Sequence, residues 1–120
     1  MSNILVIEDD LEIRNALTEI LAAEGYSVQS APNGQEGLDL LRKGNHRPHV
    51  IILDLMMPIM DGWIFRNHQL QDPELSKIPV LVITADGNAK AKAKAMNALA
   101  GIRKPIDLDE LLEAIKTAIL

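Results

Sequence analysis

The chain has 120 residues, the size of one domain, with a core able to remove roughly two-thirds of the unfolded chain's surface from water. Twelve Lys plus Arg stand against 17 Asp plus Glu, a formal charge of -5 that disfavours direct nucleic-acid binding, and the lack of cysteine excludes disulfides and thiolate metal sites. The opening MSNILVIEDD turns acidic after a few apolar residues and holds neither a basic-flanked leader nor a spanning run of about 20 apolar residues, so a soluble cytoplasmic protein with no membrane partner is expected.

Asn3 to Ile7 is a short apolar run stopped by Glu8, Asp9 and Asp10. Apolar residues follow one another without polar alternation, which predicts a buried parallel strand. Ile13, Leu17, Ile20 and Leu21 then recur at helical spacing with Glu12, Arg14 and Glu19 off the stripe, and Gly25 ends that helix. A brief strand is expected at Tyr26 to Ser30. Asn33-Gly34 opens a second helix carrying Leu38 and Leu41 with Gly37 beside them, and Gly44 closes it.

Val50 to Leu53 forms the third strand. After a turn at Pro58, Asp61 can cap a helix through about Leu70, and Pro73 and Pro79 bracket the connection to a fourth strand, Val80 to Ile83. NAKAKAKAMNALAG, residues 88 to 101, alternates like a strand but has no β-branched residue, and its Ala and Lys content predicts a helix with Lys90 and Lys94 on one face. A fifth strand is expected at Gly101 to Arg103, and Asp107 or Asp109 starts a last helix carrying Leu108, Leu111, Leu112, Ile115 and Ile119.

Five strands alternating with five helices predict a single α/β domain over residues 1–120: one doubly wound parallel sheet with helices on both faces. In such a sheet ligands bind beyond the carboxyl ends of the strands, where strand order reverses. The strand ends are Glu8, Asp9 and Asp10, then Asp54, Thr84 and Lys104, all polar and all on that edge. Asp54 ends the apolar run Ile51-Ile52-Leu53, and a carboxylate there must face water or a polar site, because unpaired burial is too costly. Clustered acids repel unless a cation joins them, and hard oxygen ligands suit Mg2+. A carboxylate screened by Mg2+ can attack phosphorus, with a cation and a hydroxyl holding the transferred group. Asp54 is thus the candidate nucleophile, Glu8 and Asp9 the metal anchors, and Lys104 and Thr84 the phosphoryl-holding groups. Taken singly, acids at strand ends as readily cap the next helix or face water.

ILVIEDD at 4 to 10, DLMMPIMDG at 54 to 62, ITA at 83 to 85 and KPI at 104 to 106 together resemble the receiver domain of bacterial two-component response regulators, the CheY-like superfamily, over essentially the whole chain. The resemblance implies a flavodoxin-like strand order 2-1-3-4-5, an aspartate phosphorylated by a sensor histidine kinase or phosphotransfer protein, and an output read by a protein partner or by a phosphorylation-dependent homodimer. It makes Asp54 the acceptor and Asp9 a direct Mg2+ ligand, with Glu8 acting through water and the Met56 carbonyl completing the set. Thr84 is then the switch hydroxyl, Lys104 the site lysine, and Pro105 a cis proline. Met57, Pro58 and Gly62 shape the loop. In the family the residues two beyond the acceptor and two beyond the switch Thr position attacking water; here they are Met56 and Asp86.

One departure bears on function. The position of the family's rotating aromatic, three before the lysine, is Gly101, and no Phe, Tyr or Trp lies between Thr84 and Lys104. Signal would then travel through the 88 to 99 helix, whose Lys90, Lys92 and Lys94, with the last helix, form a candidate surface for an acidic or mixed-charge partner. A solvated lysine face on an Ala-rich helix is the plainer alternative. His46, His49 and His68 fall away from the catalytic edge and are expected at the surface or at a strand start. Two other functions compete: a degenerate receiver used as a constitutive binding module, and an Asp-nucleophile phosphohydrolase, disfavoured because Met56 has no proton to give. The chain ends directly after the last amphipathic helix; standing alone it would signal by docking to another protein.

Overall fold

Strands that are apolar on both faces must be covered on both sides, and this requirement sets the layers. The computed structural model describes residues 2–44 and 47–120. In chain order they form β1 (Asn3–Ile7), α1 (Leu11–Ala23), β2 (Ser27–Ala31), α2 (Gly34–Lys43), β3 (Val50–Asp54), α3 (Gly62–Gln71), β4 (Val80–Thr84), α4 (Ala89–Ala95), β5 (Ala100–Arg103) and α5 (Leu108–Ile119), with a 3-10 turn at Leu75–Lys77. The five strands are parallel in the order β2-β1-β3-β4-β5, so strand order reverses beside β1 and β3.

Successive strand residues feed opposite cores. Ile4, Val6, Ile52 and Ile83 pack with Leu17 and Leu21 of α1 and Leu111 and Ile115 of α5. Leu5, Ile7, Leu53 and Val82 pack on the other face with Leu38 and Leu41 of α2, Phe65 of α3, and Ala93 and Met96 at α4. Side-chain caps fix the start of four helices: Asp10, Asn33, Asp61 and Asp107 accept from the N–H groups of Ile13, Glu36, Ile64 and Glu110. Asp107 therefore starts α5, and Asp109 falls in its first turn.

Several boundaries differ from those expected, most by one residue. β2 begins one residue late because the Tyr26 N–H is taken by the Leu21 carbonyl at the exit of α1. The 88 to 99 helix is shorter, Ala89–Ala95, ended where Asn97 takes φ 56 and the Asn97 and Ala98 N–H groups turn back to the Lys94 and Ala93 carbonyls. Leu108 is exposed at the start of α5, while Leu111 and Ile115 fill the core. His49 is exposed at the approach to β3, where its Nδ1 accepts from the Asn3 N–H, and His68 is exposed on α3. His46 lies outside the described residues.

Two contacts fix α4. Arg66 of α3 is buried, and its guanidinium donates to the carbonyls of Met96 (3.0 Å) and Asn97 (2.8 Å) and to Gln69 Oε1 (2.8 Å). Gln69 in turn donates to the Leu75 and Ile78 carbonyls, so each side-chain nitrogen of this buried network has an acceptor, and four of the five bonds close a loop or a helix end. Gly101 of β5 lies directly under α4, and a Cβ there would clash with the Ala89 carbonyl oxygen and stand 3.0 Å from Ala93 Cβ. An aromatic at this position would have to lift the helix. Gly101→Ala is accordingly expected to destabilise the fold by about 1–3 kcal/mol through overpacking, read as a lower urea midpoint at unchanged m-value.

Candidate functional site

The register of β1 and β3 pairs Ile7 with Leu53, which sets Glu8 beside Asp54 where the two strands end. Glu8 is fully buried and Asp54 is 2% exposed, whereas Asp9, one residue on, reaches solvent. One carboxylate oxygen from each of Glu8, Asp9 and Asp54 lies within 4.8 Å of the others. Thr84 ends β4 and is buried; Lys104 follows β5, held by its N–H bonding the Thr84 carbonyl at 2.8 Å. A cavity of about 470 Å³ opens over these strand ends, lined by Asp9, Asp54, Thr84 and Lys104 with Met56 at its edge. The strand-end set named from the sequence is therefore brought together.

Positive charge is short in this cluster. Lys104 Nζ lies 2.6 Å from Glu8 Oε1 and 3.5 Å from Asp54 Oδ1, so it compensates Glu8 more closely. Burial, then the neighbouring Glu8, push the Asp54 carboxyl up from its ordinary 3.8 to about 7, with Lys104 opposing. Burial works against the Lys104 charge, yet Glu8 and Asp54 together hold that ammonium above its ordinary value. Among the described residues, Glu8 Oε1 meets no donor other than the Lys104 ammonium. Three carboxylates this close together, with one ammonium between them, fit a hard divalent cation.

The remaining contacts shape the site. The Met56 N–H reaches Asp54 Oδ1 at 3.4 Å, while its side chain is 73% exposed. Gly62 is required by close passage: its N–H donates to the Leu55 carbonyl, and a Cβ would stand 2.6 Å from the Asp54 carbonyl oxygen. Asp10 caps α1 and also borders the cavity, and Arg14 holds the turn through the Glu8 carbonyl at 2.8 Å. The Lys104-Pro105 peptide is cis, as the resemblance implies.

Lys92 was not among the residues expected at the site. It was grouped with Lys90 and Lys94 on an outer face, but it lines the Asp54 cavity and pairs with Asp86 at 2.6 Å. Lys90 and Lys94 instead border a groove toward α5. The alternation of lysines at 90, 92 and 94 was visible in the sequence, and two residues on a helix turn a side chain by about 200°, which is the signal that separates them.

The family model for the response regulator receiver domain matches residues 4–116. The chain belongs to this family. The sporulation initiation phosphotransferase F of Bacillus subtilis is 35% identical over 116 residues, covering 94% of this chain and 90% of that protein. A probable transcriptional regulator, ycf29, of Porphyra purpurea is 34% identical over 119 residues, and there this chain spans 56% of the relative's length. The response regulator TrrA of Thermotoga maritima, solved in complex with Mg2+-BeF, superposes with TM-score 0.85 at 30% identity, covering 98% of this chain and 99% of that one. A receiver is a regulatory domain driven by phosphorylation rather than an enzyme in the ordinary sense, and receivers partner histidine kinases or phosphotransfer proteins and downstream effectors. No helix among the described residues is long and apolar enough to cross a membrane.

The raised Asp54 value has a measurable consequence. Folded and metal-free, Asp54 keeps its proton to about pH 7, whereas unfolded it ionises near 4. The folded state binds more protons between those values, so this group's contribution is full below about pH 4 and is lost as the pH rises to about 7. A bound divalent cation offsets that loss. The gain in melting temperature on adding Mg2+ should therefore grow from about pH 5 to about pH 8, and Asp54→Asn should raise the metal-free melting temperature at the upper pH while shrinking the Mg2+ response.

Proposed function

We propose that this receiver accepts a phosphoryl group on Asp54 from a histidine kinase or phosphotransfer protein in a Mg2+-dependent step, and that the modified site changes its contacts with a protein partner. The observation that carries this reading is a nearly buried Asp54 on a strand end, gathered with two further acids, an ammonium and a hydroxyl around one cavity. Glu8, Asp9, Asp54 and the Met56 carbonyl would hold the metal, Glu8 through water. Bound there, Mg2+ supplies charge neutralisation between the carboxylates and the incoming phosphoryl oxygens.

The protein groups supply the rest. An Asp54 carboxylate oxygen forms a bond to phosphorus as the donor's P–N bond breaks, and the electron pair leaves with the imidazole nitrogen. Lys104, whose Nζ lies 3.5 Å from Asp54 Oδ1, would hold a phosphoryl oxygen through a charge-assisted hydrogen bond. Thr84 Oγ1 accepts the Asp86 N–H at 3.2 Å, which leaves the hydroxyl hydrogen available to a phosphoryl oxygen. The complete set argues against a degenerate binding module, and Met56, where a hydrolase would need an acid, argues against a phosphohydrolase.

For output, the groove of about 420 Å³ between α4, β5 and α5 carries Lys90, Lys94 and Leu99 around Gly101, a surface suited to an acidic or mixed-charge protein. A phosphorylation-dependent homodimer is the other assembly that would use a docking face.

Incubation with acetyl phosphate and Mg2+ should add one phosphoryl group by intact-mass analysis, absent in Asp54→Ala and in the presence of chelator. Persistence of the adduct in Asp54→Ala would move the acceptor elsewhere. Loss of the phosphoryl group should be slow, because the large Met56 side chain borders the cavity where water must enter. Met56→Asn should then shorten the phosphoprotein's half-life several-fold, and an unchanged half-life would assign control of water to Asp86 instead.

A further inference from the structure

Asp86 and Lys92 form an ion pair in the mouth of the acceptor cavity, at 2.6 Å, with their side chains 46% and 29% exposed. At that exposure the pair contributes little to folding. Its position is more informative than its strength. The Asp86 N–H donates to Thr84 Oγ1 at 3.2 Å, its Oδ1 accepts from the Asn88 N–H at 3.0 Å, and its Oδ2 holds Lys92. Thr84, the β4–α4 loop and α4 are thus joined by three consecutive polar contacts that run along the cavity wall.

α4 is held unevenly. Arg66 grips the carbonyls of Met96 and Asn97 just past its C-terminal end. Its first turn has no side-chain cap, Asn88 making none, and α4 has seven residues with Lys92 at the middle. The end nearest the cavity is therefore the end that can shift.

We propose that Lys92 is a second phosphoryl-binding cation, held aside by Asp86 in the unphosphorylated protein and passed to the phosphoryl oxygens when Asp54 is modified. A phosphoryl group brings roughly two negative charges and several strong acceptor oxygens into a partly desolvated cavity. Asp86 offers Lys92 one charge at a half-exposed position, and that carboxylate is repelled by the new group. The ammonium goes to the denser charge, and its helix follows. Because α4 is clamped by Arg66 beyond its far end and lacks a side-chain cap at its near end, the movement falls on its first turn and the loop from Asp86 to Asn88. This couples the site to α4 in a chain with no aromatic between Thr84 and Lys104. It depends on Asp54 accepting a phosphoryl group.

The test is titration of beryllofluoride, a non-covalent phosphoryl mimic, into the Mg2+-loaded chain by calorimetry and amide chemical shifts. Wild type is compared with Lys92→Ala, Lys92→Arg and Asp86→Asn, and Mg2+ affinity is measured alone for each. Lys92→Ala should lose about tenfold in beryllofluoride affinity, the scale of one charge-assisted hydrogen bond, with Mg2+ affinity unchanged. Lys92→Arg should recover most of it, Asp86→Asn should bind the mimic more tightly, and the amide shifts over 89–95 seen in wild type should vanish in Lys92→Ala. Equal beryllofluoride affinity in wild type and Lys92→Ala, or a parallel fall in Mg2+ affinity, overturns the role of Lys92 while leaving Asp54 as acceptor. Failure of wild type to bind the mimic overturns the acceptor itself.

Discussion

Glu8 and Asp54 are two buried carboxylates served by one ammonium, and Lys104 lies nearer to the first. Left to relax, such a cluster would spread apart or take up protons. It cannot spread, because each carboxylate leaves the end of a strand locked by its neighbours, Ile7 in register with Leu53 and Leu53 with Val82, so proton uptake is the response left to it. Apolar side chains fill both faces behind them. The stability lost to charge repulsion at the edge is sustained by packing beneath it, a common trade where a site must be held rigid before its ligand arrives. The raised Asp54 value is the direct sign of that constraint.

From the same shortage of positive charge follows the sensitivity of the site to whatever enters it. A divalent cation would relieve the carboxylates, and a phosphoryl group would then shift the balance toward excess negative charge. Groups able to answer are those at the cavity wall: the Thr84 hydroxyl, the Lys104 ammonium, and Lys92 across from Asp86. Each belongs to a different element, so an electrostatic change at one carboxylate is felt by β4, by the segment after β5 and by α4 together. Coupling between sites needs an element with two arrangements, and α4, clamped beyond one end and uncapped at the other, is built to supply it.

Arg66 shows how a polar group can be structural at depth. A buried guanidinium without a carboxylate among its described contacts is costly unless its nitrogens find acceptors, and each of the three does, in two helix-end carbonyls and an amide oxygen. Gly101 acts on the same helix from below, by the absence of a side chain. Together they set α4 close against β5, and this closeness leaves no space there for a ring.

The sequence by itself determined the five strands, the helices between them and the acidic edge, because these depend on local order: apolar runs long enough for one strand, acids placed where those runs stop, Asp and Asn where helices begin. Runs such as Ile51-Ile52-Leu53 have no alternative fate in water, and Asp54 after them has few. Boundaries that hinge on a single backbone bond, such as the start of β2 or the end of α4 at Asn97, needed the folded chain. Tertiary structure also decided what depends on pairing between distant segments. Lys104 sides with Glu8 over Asp54, Arg66 closes α4 from α3, Gly101 is the floor of a helix, and Lys92 turns to the site while Lys90 and Lys94 face α5. Local pattern specifies which residues reach an edge; only the packing of one element on another sets the distances there, and electrostatics depends on distance.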